Sequence, residues 1–255
     1  MRSLLAIAAN TLRHAVRDRV LYSILFFAAG VILLSLALKD VTIGDQDKVV
    51  RSIGQSAIAG FGSIIAMFLG VSLVWTELEK RTVYTVLSRP LARRTFLLGK
   101  YLGLVATLAL QIGIMLTVYA ALMTVQQQPP PAIVYVSNGL LLVELMLLTA
   151  FATLFSTYSA PTTASAFTLS VFVIGHLADD IWLYGSRAES PAVQEMARAL
   201  YWVLPNFEIL NLRDLAIHEK PIPWDRVLTA LTYGLSYTAV VLGAAVAVFE
   251  RRDLK

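Results

Sequence analysis

One ionisable side chain, Glu144, interrupts a stretch from Tyr101 to Ala178 that holds no other Asp, Glu, Lys or Arg. A carboxylate in the middle of an apolar helix costs about 3 kcal/mol on insertion scales unless it faces protein or water. Glu144 is therefore either a functional group or a polar contact between helices. His176, Asp179 and Asp180 follow at i, i+3 and i+4, on one helical face. They form either part of a metal or proton site or a polar cap where a helix reaches water. Gly62-Ser63 with His176 would suit an intramembrane hydrolase, although a serine beside glycine equally serves close helix packing. Other chemistries are excluded. With no cysteine the chain has no disulfide, thiolate zinc site, iron–sulfur cluster or cysteine nucleophile, and three histidines leave little for a metalloenzyme, so no metal site is assigned. The only Gly-Lys pair, Gly99-Lys100, is followed by Tyr101 and lacks the earlier glycine of a phosphate-cradling loop. The chain is thus expected to be non-catalytic, with no cofactor of its own.

These residues sit in a chain of 255 residues, 57% hydrophobic and 15% charged, with a mean hydropathy of +0.69. That composition predicts an all-α polytopic membrane protein. The uncharged runs and their breakers place six transmembrane helices at 20–38, 52–76, 101–125, 132–155, 162–178 and 227–249. The triple proline 129–131 separates the third from the fourth, and Ser156 to Pro161 separates the fourth from the fifth. The first run follows too many arginines, and lacks a small-residue cleavage site, for a signal peptide. Small residues Gly54, Ala57, Gly60 and Gly62 permit close approach along the second helix, within one chain or at a dimer seam.

Orientation follows from charge. With both termini and the loop after the second helix in the cytoplasm, 13 of the 21 Lys/Arg lie inside, as the positive-inside rule requires. The pI near 9.4 then reflects orientation and anionic lipid, and no nucleic-acid partner is expected.

Three segments lie between or before these spans. Residues 1–19 carry Leu5, Ala8, Ala9, Leu12 and Val16 at helical spacing with Asn10, Arg13, His14 and Arg17 opposite, predicting an interfacial helix. Residues 77–100 are a charged cytoplasmic loop in which Val83, Val86 and Leu87 form an i, i+3, i+4 apolar set ended at Arg89-Pro90, with a second helix resuming near Thr95. This is a short docking helix or a solvated basic turn. Residues 179–226 are extracytoplasmic. Within them Ser190 can cap a helix opened by Pro191, with Val193, Met196, Ala197, Leu200, Tyr201 and Leu204 on one face along the membrane surface, and Trp202 and Trp224 read as interfacial aromatics. No internal repeat is present, so the inverted-repeat design of many secondary transporters is not supported.

The run from Trp75 to Lys100 resembles the cytoplasmic coupling loop of ABC-2 type transporter permeases. Glu79, Thr82, Leu87, Pro90, Arg93, Gly99 and Lys100 match residues that recur there, while Arg81 stands where members commonly carry glycine and Ala92 where they carry serine or threonine. Arg17-Asp18-Arg19, Pro205-Asn206-Phe207 and Asn211 are similar to the subgroup related to the permease of nitrous-oxide reductase and multicopper enzyme maturation. The resemblance implies a single transmembrane domain in the bacterial inner membrane, paired with a second permease copy as a homodimer. It further implies a separate ABC ATPase subunit that binds the ATP, met through Glu79, Thr82, Val83, Val86, Leu87, Pro90 and Arg93. Lipid and an extracytoplasmic protein are further partners. The rival reading is an ATP-independent secondary transporter or the membrane anchor of a larger complex.

Overall fold

The computed structural model describes residues 2–17, 22, 24–26, 28–34, 46–79 and 92–251, and among these all regular structure is helical. The order is α1 (Arg2–Val16), a shorter apolar helix Ile24–Leu34, α2 (Gln46–Glu79), α3 (Arg93–Val125), α4 (Ala132–Ser156), α5 (Pro161–His176), α6 (Ala178–Gly185), α7 (Pro191–Val203), a 3-10 turn Glu208–Leu210, α8 (Arg213–Ile217) and α9 (Trp224–Arg251). Among the described residues four helices, α2, α3, α4 and α9, are long and apolar enough to cross a membrane, and α5 with α6 makes a fifth if the bent pair is one span. Most of the expected first span, 20–38, lies outside the described residues or in the shorter Ile24–Leu34 helix.

The breakers act as their chemistry demands. Gln127 takes a left-handed φ of 61° and closes α3, with its own N–H on Thr124 O and that of Gln128 on Met123 O at 3.0 Å. This is a Schellman-type end with glutamine where glycine is usual. Pro161 opens α5 at a position whose N–H needs no partner. The second helix of the charged loop starts at Arg93, earlier than Thr95, and runs unbroken through 33 residues. That is about 50 Å, well beyond a hydrocarbon core of about 30 Å, so α3 must project from the bilayer.

Helix α4 is the hub. Its apolar window is 67% buried within the chain, against 22% for α9. α2 runs parallel to α4: Gly62 meets Leu145, and Gly70 lies so close to Ala152 that a Cβ would fall 2.6 Å from its methyl. Gly54 lies under the ring of Tyr119, so Gly54 and Gly62 serve packing within the chain, whereas Gly60 has open space beside it. Tyr101 of α3 donates to Met146 O of α4 at 2.9 Å.

Two amphipathic helices dock on the chain with large residues of their apolar stripes left exposed. α1 docks lengthwise on the first turns of α3, with Ile7 against Gly99 and Thr11 against Gly103. Its buried face is therefore Thr11 and Ala15, while Leu5 of the expected stripe is 65% exposed. The bare backbone at Gly99 and Gly103 lets the β-branched Ile7 and Thr11 approach α3 closely, and the Leu5 to Val16 stripe lies to one side. In α7, which ends at Val203, only Ala197 is buried, against Gly185 of α6, and the Trp182 and Tyr201 rings meet tilted, with centroids 5.2 Å apart. Val193 and Met196 stay exposed. Ser190 makes no side-chain cap; its carbonyl accepts from Val193 and Gln194. Residues 178–185 form a separate short helix beyond a 59° bend from α5.

Candidate functional site

The bend sets the site. α5 ends at His176 and α6 starts at Ala178, with Leu177 at φ −94°, ψ 5° between them. His176 Nε2 lies 3.3 Å from Oε1 of Glu144, whose residue is 4% exposed halfway along α4. Nδ1 of the same ring is 3.0 Å from Phe172 O. A carbonyl only accepts, so Nδ1 carries a hydrogen, and one further proton lies between Nε2 and the carboxylate. Either distribution of that proton, acid with imidazole or carboxylate with imidazolium, leaves the pair neutral overall. Neutrality is what makes two ionisable groups tolerable at this depth.

A wedge from the segment after α7 packs on the His176 side of the pair. Phe207 is fully buried, its ring centroid 5.4 Å from that of His176, and its N–H donates to Gly175 O at 3.0 Å. That carbonyl, in the last turn of α5, would otherwise lack a helical partner at the break. Gly175 is required by proximity: a Cβ there would lie 2.6 Å from the Phe207 ring and 2.8 Å from Pro205 O. Asn206 ties the wedge to three elements. Its amide donates to Asp179 Oδ1 at 2.6 Å, its backbone N–H donates to the Tyr233 hydroxyl of α9 at 2.8 Å, and its side-chain oxygen accepts from Glu208 N at 2.9 Å. Asn211 repeats the device, accepting from Arg213 N at 3.1 Å and donating to Glu208.

A second polar seam lies between α2 and α4. Asn138 donates to Gln55 Oε1 at 3.1 Å and to Val134 O at 2.8 Å, and Arg51 pairs with Glu219 at 2.7 Å. Gln111 of α3 is 2% exposed, and neither of its amide atoms meets a partner among the described residues. These amides were not singled out by sequence reasoning. The signal was present in each case as a lone amide in an apolar helix, where interhelical hydrogen bonds are the common use.

The expected chemistry redistributes accordingly. His176 turns to Glu144 and Asp179 to Asn206, and among the described residues no three His, Asp or Glu stand close enough to hold a metal ion. Ser63 donates to Ala59 O of its own helix at 2.9 Å. Of the expected coupling residues, Glu79 is the last residue of α2 and Arg93 the first of α3. Thr82, Val83, Val86, Leu87 and Pro90 lie outside the described residues. Arg93 Nη1 donates to Glu250 O at 3.1 Å, so the base of α3 and the end of α9 share one end of the bundle. An open groove of about 760 Å³ lies between α4 and α9, walled chiefly by Phe151, Leu154, Tyr233, Tyr237, Val240 and Ala244.

A family model described as ABC-2 family transporter protein matches residues 5–254. Comparison with curated proteins finds no match.

Proposed function

Because the chain belongs to the ABC-2 family of transporter proteins, and is a multi-pass helical membrane component of that kind, we propose that it is the permease subunit that forms the membrane path and is driven by a separate ATPase. The family match over nearly the whole chain carries this reading. In it the protein has six spans in a bacterial inner membrane, both termini in the cytoplasm, and pairs with a second copy of itself. ATP is bound and hydrolysed by the partner subunit, and the chain falls in the subgroup of maturation permeases that its Pro205-Asn206-Phe207 segment resembles.

Coupling in this reading enters through the loop between α2 and α3, with Glu79, Thr82, Val83, Val86, Leu87, Pro90 and Arg93 meeting the ATPase. Two long helices leave that loop directly, and rigid rods convert a push at their base into a tilt along their length. α2 would carry the tilt to α4 through Gly62, Gly70 and the Gln55–Asn138 bond, and α3 would carry it to α9 through Arg93. The Phe207 wedge on His176 is the element that this motion displaces.

The test replaces Val83 and Leu87 together by Asp. Burying charge where two apolar anchors sat should weaken ATPase binding by over a hundredfold, about 3 kcal/mol. The spans should stay inserted, while co-purification of a phosphate-loop ATPase and substrate-stimulated ATP hydrolysis are lost. Co-purification of the double variant at the wild-type ratio, with normal transport, would reject the coupling role and leave the loop as a topological anchor only.

A further inference from the structure

We propose that the exposed face of α1 is a binding site for the phosphate headgroup of an anionic membrane lipid. The inference rests on the chain being a membrane protein and not on its coupling to an ATPase. Three faces of α1 have separate fates. Ile7, Thr11 and Ala15 are used against α3. Leu5 and Ala9 stay exposed and apolar, with Leu12 and Val16 half-buried beside them. On the remaining face Asn10, Arg13, His14 and Arg17 line a concavity of about 430 Å³, and all four are exposed.

Cations this close together repel unless an anion is shared. Among the described residues, no carboxylate pairs with Arg13, His14 or Arg17, although elsewhere in the chain Arg51, Arg198 and Lys220 all have acidic partners. The concavity therefore has the charge for a phosphodiester and a neutral donor, Asn10, beside it. Guanidinium groups present paired N–H donors that match phosphate oxygens. The apolar stripe next to the basic face is what distinguishes a lipid from an acidic protein surface. A headgroup seated at Arg13 and Arg17 would lay its acyl chains along the Leu5 to Val16 stripe, and the apolar Ile24–Leu34 helix follows shortly after in the chain. Basic residues on an amphipathic helix at the membrane surface are the common chemistry of such contacts.

The test is native mass spectrometry of the purified full chain titrated with phosphatidylglycerol or phosphatidylcholine. Wild type should retain phosphatidylglycerol preferentially. Arg13→Gln with Arg17→Gln should weaken that binding about thirtyfold, the effect of removing two basic residues from an anionic contact. Arg13→Lys with Arg17→Lys should keep most of it, and Arg198→Gln should not change it. Equal retention of the two lipids, or unchanged phosphatidylglycerol binding in the Gln variant, would overturn the site. So would a Gln variant that keeps its lipid but no longer co-purifies with a protein partner, which would make the face a protein dock. Displacement of phosphatidylglycerol by millimolar inorganic phosphate would assign the concavity to free phosphate instead. All lipid arms use the chain alone, so their failure is separable from failure of the ATPase reading.

Discussion

Glu144 and His176 meet at 3.3 Å across the α4–α5 contact, one residue before the fifth helix breaks. The pair is 32 positions apart in sequence, and each member alone would be a costly group in an apolar bundle. Together they share a proton and neutralise one another. The imidazole is held from its other side by Phe172 O and covered by Phe207.

Substitutions at this pair should therefore be strongly non-additive. Glu144→Gln keeps a hydrogen-bonding group opposite Nε2 and should fold normally. Glu144→Leu strands the ring and should cost about 1–3 kcal/mol, whereas Glu144→Leu with His176→Leu should recover most of that loss. Unfolding midpoints of these variants and of His176→Leu alone in detergent read this directly. Single and double leucine variants with losses that simply add would mean that the two residues do not interact.

The wedge should depend on the absence of a side chain at Gly175. An added methyl would strike both the Phe207 ring and a backbone oxygen, and the oxygen cannot rotate away. Gly175→Ala should cost about 1–3 kcal/mol by overpacking, and Phe207→Ala about 3–5 kcal/mol by leaving a cavity. Hydrogen exchange of residues 205–213 should accelerate in both variants while that of α2 is unchanged. Wild-type protection in Gly175→Ala would show that Phe207 is not seated on α5.

Orientation can be read with single cysteines, since the chain has none of its own. In the proposed topology, which puts 13 of the 21 basic residues on the cytoplasmic side, a cysteine at position 195 should react with an impermeant reagent in intact cells, and one at position 93 only after permeabilisation. Labelling of position 93 from outside would invert the topology and with it the placing of the coupling loop.

The long helices were legible because their causes are local. A run of apolar residues favours a buried helix at every position, and Pro129 to Pro131 and Pro161 end or start helices by removing N–H groups, whatever surrounds them. Glu144 was legible as a problem for the same reason, since one charge in an apolar run is costly in any fold. Its solution was not, because the partner lies on another helix and the distance between them is set by packing.

The break at Leu177 shows the division most clearly. Nothing in His176-Leu177-Ala178 forbids a helix, so the sequence reads as one span ending near 178. Only a distant wedge, which gives Gly175 O a partner outside its own helix and fills the space beside it with Phe207, makes the bend favourable. The α1 face was decided in the same way: its own periodicity marks the Leu5 to Val16 stripe as apolar, and only the notches at Gly99 and Gly103 make Ile7 and Thr11 the residues that dock on α3. Hydropathy and breakers determine where helices lie along the chain, because each residue contributes independently of its neighbours in space. Which face is buried, and where a span bends, depends on the shape of surfaces brought together from far apart in sequence, and only the assembled bundle supplies those.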